Sequence, residues 1–234
     1  MQGTQLPLAV HLRGTVSFAS FYAGPNSEAL ALVAEPSSLY LFGAPDSGKT
    51  HLLLAANRAH GGAYLPLGAS QGEGPALLEG LDELPLLCLD DLDSVCGRAD
   101  WALPLLRLLD ARRARRRVTL LAAREPASRL ACALPDLQSR LSQFQPVGLK
   151  PLDDAQRAGL LRHAAQARGL DLPAEVITWL LTHQPRSTGD LLASLERVDR
   201  AVLSLKRRPS LALVQAVLTP PAPVWSSAQT APGH

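Results

Sequence analysis

Cysteine is scarce in this chain, and its scarcity excludes two classes of protein. The three residues, Cys88, Cys96 and Cys132, are odd in number and widely spaced, which fits neither a disulfide framework nor paired metal ligands. No apolar run reaches membrane-spanning length and no signal sequence is recognisable, so the expected compartment is the cytoplasm, with no membrane partner. An excess of one charge is missing too: 23 Lys and Arg face 21 Asp and Glu, a net of +2. Bulk electrostatics therefore single out neither nucleic acid nor an anionic surface, and any such contact is expected to be local. Aromatic residues are only 4% of the chain, but 47% of it is hydrophobic, and 234 residues can build one large or two small domains around a real core. The six histidines have neither metal-binding spacing nor triad partners.

What is present alternates. The first 35 or so residues read as an irregular arm, and Leu39-Tyr40-Leu41-Phe42 reads as a short buried strand running into glycine. A loop from Gly43 to Thr50 leads into "HLLLAANRAH", whose alanine and leucine favour helix. A second strand, Leu84 to Leu89, ends in Asp90-Asp91. It precedes the helix "WALPLLRLLDARRARRR", on which Leu105, Leu108 and Leu109 share a face and Trp101 is expected in the core. A third strand, Val118 to Ala123, follows. The predicted fold is α/β, a mostly parallel sheet with right-handed crossovers and helices on both faces. From Lys150 the pattern turns all-helical. One helix opens on proline and aspartates and closes at Gly169, and a second spans Ala174 to His183 with Trp179 expected in its core. A third carries Leu191, Leu195, Val198, Val202 and Leu205 at three- and four-residue steps. The tail after Leu218 is rich in proline, serine and alanine and is expected to be disordered.

"GAPDSGKT" satisfies G-x-x-x-x-G-K-[ST] at Gly43, Gly48, Lys49 and Thr50. The glycines let backbone N–H groups face inward, the helix that follows offers its positive end, Lys49 reaches the outer phosphates and Thr50 can ligate Mg²⁺. Gly43, Pro45, Asp46, Ser47, Gly48, Lys49, Thr50 and His51 are thus the expected cofactor-binding residues, and ADP or ATP the expected ligand. At the end of the second strand Asp90 would hold the metal with Thr50, and Asp91 could orient an attacking water. The other reading of the acidic pair is that it only caps a following helix.

These residues meet a known family. The P-loop domain followed by a helical lid resembles the AAA+ class. "FASFYAGPNSEAL", "GAPDSGKTHLL", the Asp-Asp strand end and "LPDLQSRL" resemble its DnaA branch, while "PDLQSRL" and "LERVDRA" resemble the DnaA-related Hda family over about Gln5 to Leu218. The resemblance implies an arm over residues 1–14, a nucleotide-binding domain over 15–148, a helical lid over 149–218 and a tail over 219–234. In DnaA a DNA-reading domain follows the lid, and the roughly 16 residues after Leu218 are too few for one, so an initiator role is not expected. Hda proteins carry an N-terminal peptide that binds the replication sliding clamp, the β subunit of DNA polymerase III. Gln5, Leu6, Leu8 and Val10 of "QLPLAV" match it, and Pro7 keeps that segment out of helix.

The resemblance further places Arg140 at the family's arginine finger, where a guanidinium delivered in trans to a neighbour's γ-phosphate is worth roughly 10³ to 10⁵ in rate. Without the resemblance, Arg140 would read as an ordinary surface or salt-bridging arginine. The implied function is negative regulation of replication initiation, by stimulating hydrolysis of ATP held by DnaA. Clamp and initiator are the expected partners, and a second copy of the chain a further one. Two departures weigh against hydrolysis by this protein alone: Ala123 before Arg124 where the family has a polar sensor, and Asp190 where a nucleotide-sensing arginine belongs, unless Arg186 takes over. The alternative of another class, a stand-alone ATPase loading or remodelling a helicase, needs competent sensors. A small-molecule kinase needs an acceptor pocket, of which the sequence gives no sign. Lastly, Arg112, Arg113, Arg115, Arg116 and Arg117 crowd one helix end. They read either as a solvated end that complements the helix dipole or as a local contact for DNA.

Overall fold

A computed structural model describes residues 16–219. The clamp-type peptide at Gln5, Leu6, Leu8 and Val10, and the tail from residue 220 on, lie outside the described residues. The chain forms two compact units that meet in sequence between His163 and Ala164.

The first unit holds five parallel strands, β1 (Leu39–Phe42), β2 (Ala63–Pro66), β3 (Leu86–Asp90), β4 (Val118–Ala123) and β5 (Gln145–Gly148), in the order β2-β3-β4-β1-β5. Leu39 to Phe42 pair with Leu120 to Ala123 on one side and with Gln145 to Gly148 on the other. Successive strand residues point to opposite faces, and the core divides accordingly. Leu39, Leu41, Leu86, Cys88, Leu120 and Ala122 pack with Ala29 and Val33 of α1 (Ser27–Ala34) and with Leu52, Leu53 and Ala56 of α2 (Lys49–His60). Tyr40, Leu87, Leu89, Leu121 and Ala123 pack on the other face with Trp101, Leu105, Leu108 and Leu109 of α3 (Ala99–Ala114) and with Leu137 and Leu141 of α4 (Pro135–Leu141). Both faces are covered, as the nearly continuous apolar strands require.

Several expectations change. The arm is not irregular throughout, since residues 27–34 form α1. The second predicted strand is shifted to Leu86–Asp90, because Pro85 precedes it and Asp90 still pairs with Pro66. The helix after the glycine loop begins at Lys49 rather than His51. Two strands were not foreseen, β2 and β5, which are four residues each and lie at the two sheet edges; Pro66 and Pro146 are tolerated there because an edge strand can lack a ladder donor.

Arg112 corrects the arginine-cluster reading. Its guanidinium is 1% exposed and turned inward, donating to Thr119 Oγ1 at 2.8 Å, to the carbonyls of Leu81 and Leu84, and to that of Val118. Burial, and after it the charge of Arg117, lowers its pKa to about 10, so it stays charged at neutral pH. It fastens the end of α3 to the entries of β3 and β4, and it is not available to DNA.

Helix α5 (Asp154–Gln166) runs across the division between the units. The second unit is helical, with α6 (Ala174–His183), α7 (Thr188–Leu205) and α8 (Leu211–Leu218). Val176, Ile177 and Leu180 of α6, Leu191, Leu195 and Val198 of α7, and Val214 of α8 are buried. The predicted α7 stripe ends early: Val202 is half-buried and Leu205 is 55% exposed. Trp101 is fully buried, whereas Trp179 is half-buried and stacks on His183 at a centroid distance of 4.7 Å. No helix among the described residues is long and apolar enough to cross a membrane.

Candidate nucleotide site

The glycine loop follows the end of β1 and turns straight into α2. Gly43 has no room for a side chain, since a Cβ there would lie 2.4 Å from the Leu149 carbonyl oxygen. Gly48 is left-handed at φ +99, and a Cβ would meet the Phe21 ring at 2.7 Å. Asp46 also adopts positive φ, at 62, a conformation aspartate tolerates better than most residues. Lys49 Nζ folds over the loop and donates to the carbonyls of Gly43 at 2.7 Å and Ala44 at 3.0 Å. Burial lowers its pKa first of all, against the opposing pull of Asp90, Asp91 and Asp93.

Asp90 closes the site from the end of β3. It is 1% exposed, and its Oδ2 accepts from Thr50 Oγ1 at 2.6 Å and from the Tyr64 hydroxyl at 3.0 Å, while Oδ1 accepts from the Asp91 amide at 3.0 Å. Three donors fix the carboxylate in place. Tyr64 was not foreseen, because it stands on the unpredicted β2. Asp91 follows in a left-handed conformation, φ 56, at the start of a short 3-10 turn (Leu92–Ser94), and its side chain makes no capping bond. This disfavours the reading of the pair as a mere cap. Burial raises the Asp91 pKa, with Asp90 and Asp93 adding to it.

The residues fit a phosphate group. Ser47 Oγ is a buried hydroxyl with no hydrogen-bond partner among the described residues, the two glycines admit no side chain, and Lys49 and the start of α2 supply positive charge. No cluster of three His, Cys, Asp or Glu arranged around a metal exists among the described residues, so Mg²⁺ at Thr50 and Asp90 would draw its other ligands from phosphate and water. Pro45 and Asp46 shape the loop. The His51 imidazole faces elsewhere: its Nε2 lies 3.2 Å from Ser20 Oγ and 3.1 Å from the Ser17 carbonyl, and it meets the Phe21 ring edge-on, pinning the segment ahead of α1 against the loop. Gly48→Ala is therefore expected to weaken binding of a fluorescent adenine nucleotide by about tenfold or more, since the left-handed turn and the Phe21 contact both resist a Cβ. A variant that binds as the parent does would show that the loop tolerates another geometry.

The residues expected at the sensor positions, Ala123 with Arg124 and Asp190, make local contacts. Ala123 ends β4 and is buried at 1% exposure, and the next residue, Arg124, is tied to Asp93 through its amide at 2.9 Å and through Nε at 3.3 Å. Asp190 has a local role in the second unit: its amide donates to Ser187 Oγ at 3.1 Å, and Ser187 Oγ donates to its carboxylate at 2.6 Å, a reciprocal cap on α7.

Arg140, the candidate finger, stands far from the loop on α4. It forms an ion pair with Asp110 of α3 and donates to Gln143 Oε1 at 2.8 Å, while its Nε is buried with no acceptor among the described residues. It lines a cavity with Ser38 and Thr119, at the edge of the sheet where β1 and β4 begin. The loop lies at the edge where β1 ends.

Residues 154–218 match the family described as Hda, lid domain. A Haemophilus influenzae protein, described only as uncharacterized, is 34% identical over 226 residues, covering 92% of this chain and 98% of its own. In fold the chain is similar to domain III of the Thermotoga maritima replication initiation protein DnaA (TM-score 0.68, 18% identity, 87% of this chain and 95% of that one). It is also similar to AMPPCP-bound DnaA from Aquifex aeolicus (TM-score 0.65, 20% identity, 84% of this chain and 69% of that one). With the glycine loop, the Asp90 strand end and the five-stranded order in place, the chain is an Hda-like, DnaA-related protein: residues 154–218 form an Hda-type lid domain, and the fold is that of DnaA domain III.

Proposed function

We propose that this protein restrains replication initiation by driving DnaA from its ATP-bound to its ADP-bound form while docked on the DNA-loaded sliding clamp. The catalysed reaction is the partner's. Arg140 enters the initiator's site and neutralises charge that builds on the γ-phosphate as the bond to the leaving phosphate loosens.

The position of Arg140 carries this reading. It lines the edge where the parallel strands begin, whereas the chain's own phosphate loop follows their ends. The four residues of β1 span about 13 Å at roughly 3.3 Å each, farther than an arginine side chain extends. A guanidinium so placed is suited to a neighbour's nucleotide and not to its own. Asp110 and Gln143 hold it in place.

Gly43 to Thr50 would hold ADP or ATP, with Lys49 on the outer phosphates and with Thr50 and Asp90 holding Mg²⁺. That nucleotide would supply charge at the loop, not the bond broken in the partner's reaction. Asp91 would orient a water there, but the apolar Ala123 and the helix-capping Asp190 offer little to stabilise a transition state, so intrinsic turnover is expected to be weak. The peptide Gln5, Leu6, Leu8 and Val10 would dock in the clamp's apolar groove, with Pro7 lowering the entropy lost on docking.

The test loads DnaA with radiolabelled ATP and follows its conversion to ADP beside DNA-loaded clamp. The parent protein is expected to accelerate conversion, and Gln5→Ala/Leu8→Ala to lose about tenfold or more of that acceleration together with its retention on the clamp, as removal of anchor residues does. Acceleration that needs no clamp, or none at all with the parent, contradicts the proposal.

A further inference from the structure

Of the five arginines at the end of α3, Arg112 is buried and Arg115 pairs with Asp82 at 3.1 Å. The other three are exposed and converge with Arg140 on one cavity of about 420 Å³, whose lining includes Ser38 and Thr119 and no carboxylate. Arg113 and Arg140 share the single acceptor Gln143 Oε1. The only carboxylate paired with these four among the described residues is Asp110, on Arg140.

The backbone sets this convergence at a cost. Arg116 is left-handed at φ 53, its amide bonded to the Arg113 carbonyl at 3.0 Å, and the Arg117 amide is bonded to the Arg112 carbonyl at 2.9 Å. That is the helix-ending turn in which glycine meets no steric penalty. Here an arginine occupies the position, and its guanidinium joins the cavity.

We propose that Arg113, Arg116 and Arg117 form with Arg140 a second phosphate site, which receives the polyphosphate chain of a nucleotide. Planar guanidinium forks match phosphate oxygens two at a time. A polyphosphate packs several negative charges into a volume that this cavity can enclose, whereas a nucleic acid strand spaces single charges about 3.4 Å apart along an extended axis. The nucleotide can come free from solution or be presented by the initiator. Only the second source rests on the proposed role of Arg140; the site itself does not.

The probe is inorganic tripolyphosphate, titrated calorimetrically into the full chain carrying Lys49→Ala, so that the glycine loop is disabled. Saturable binding that weakens as salt rises is expected, and adding Arg113→Ser, Arg116→Gly and Arg117→Ser should weaken it about tenfold or more. Glycine at position 116 relieves the left-handed turn, so the melting temperature of the combined variant should not fall below that of its Lys49→Ala parent. Absence of binding to the Lys49→Ala protein, or affinity unchanged by the three substitutions, overturns the proposal. So does affinity of these arginines for a duplex oligonucleotide but not for tripolyphosphate. A second arm puts the three substitutions in the chain with intact Lys49 and titrates it against ATP-loaded DnaA. A raised half-maximal concentration supports a nucleotide presented by the partner; an unchanged one, with tripolyphosphate binding lost, supports a free polyphosphate. If the parent fails to stimulate DnaA at all, the role of Arg140 falls while the titration result stands.

Discussion

Arg112→Leu lowers the stability of the protein by about 3–5 kcal/mol, while Arg113→Ser and Arg117→Ser, at most five residues away, each change it by less than about 0.5 kcal/mol. The difference follows from where the side chains point. Leucine at 112 leaves the carbonyls of Leu81, Leu84 and Val118 and the Thr119 hydroxyl without their donor. A fully buried group stranded in this way costs about 1–3 kcal/mol, and because only Thr119 is fully buried while Leu81, Leu84 and Val118 are half-buried, the total stays below four times that cost. Arg112→Lys should fall between, because one ammonium cannot serve three directions at once. Urea denaturation followed by circular dichroism gives the midpoints. A shift for Arg112→Leu as small as that for Arg113→Ser would mean that these bonds do not hold the end of α3 to the sheet.

Arg112 also shows how far the sequence could be read. In a run of five arginines within six residues, charge alone makes them equivalent, and a single solvated or DNA-facing patch is the natural inference. The helical period separates them: Trp101, Leu105 and Leu108 recur at four- and three-residue steps, and four further on stands Arg112, on the buried stripe. That signal was present but masked by charge. Strands β1 and β4 were legible because central parallel strands are buried on both faces and read as continuous apolar runs. Strands β2 and β5 were not: Gln145–Gly148 buries one residue, Val147, and Ala63–Pro66 is a four-residue run closed by proline, so neither has a period to detect. Helix α1 was hidden because only Ala29 and Val33 of its eight residues are buried.

The meeting of the glycine loop, Lys49, Thr50 and Asp90 was legible because the G-x-x-x-x-G-K-[ST] pattern and an acid closing a later strand are fixed by spacing in sequence. Tyr64, Phe21 and Asp93 were not, because they reach the site through tertiary packing. Asp190 was read for the charge it would bring to phosphates, whereas its immediate work is local. Ser187 three residues earlier is the capping-box spacing, visible in "RSTGD" once the start of α7 is located.

The second large effect belongs to Arg140. Removing a finger that stabilises the charge of a dissociating γ-phosphate costs roughly 10³ or more in rate, or about 4 kcal/mol of transition-state stabilisation at about 1.36 kcal/mol per tenfold. The loss should appear in the hydrolysis step and leave clamp binding untouched, because Gln5, Leu6, Leu8 and Val10 are remote in sequence from α4. Lysine should not restore it, since it keeps the charge but not the fork. Fold stability should change little, as the Asp110 partner is half exposed, at 47%. The decisive measurement is single-turnover hydrolysis of ATP bound to DnaA, beside DNA-loaded clamp, with parent protein and with Arg140→Ala at equal clamp occupancy. The account predicts conversion by the parent and a fall of about a thousandfold towards the unstimulated rate for Arg140→Ala; conversion at the parental rate by Arg140→Ala would contradict it.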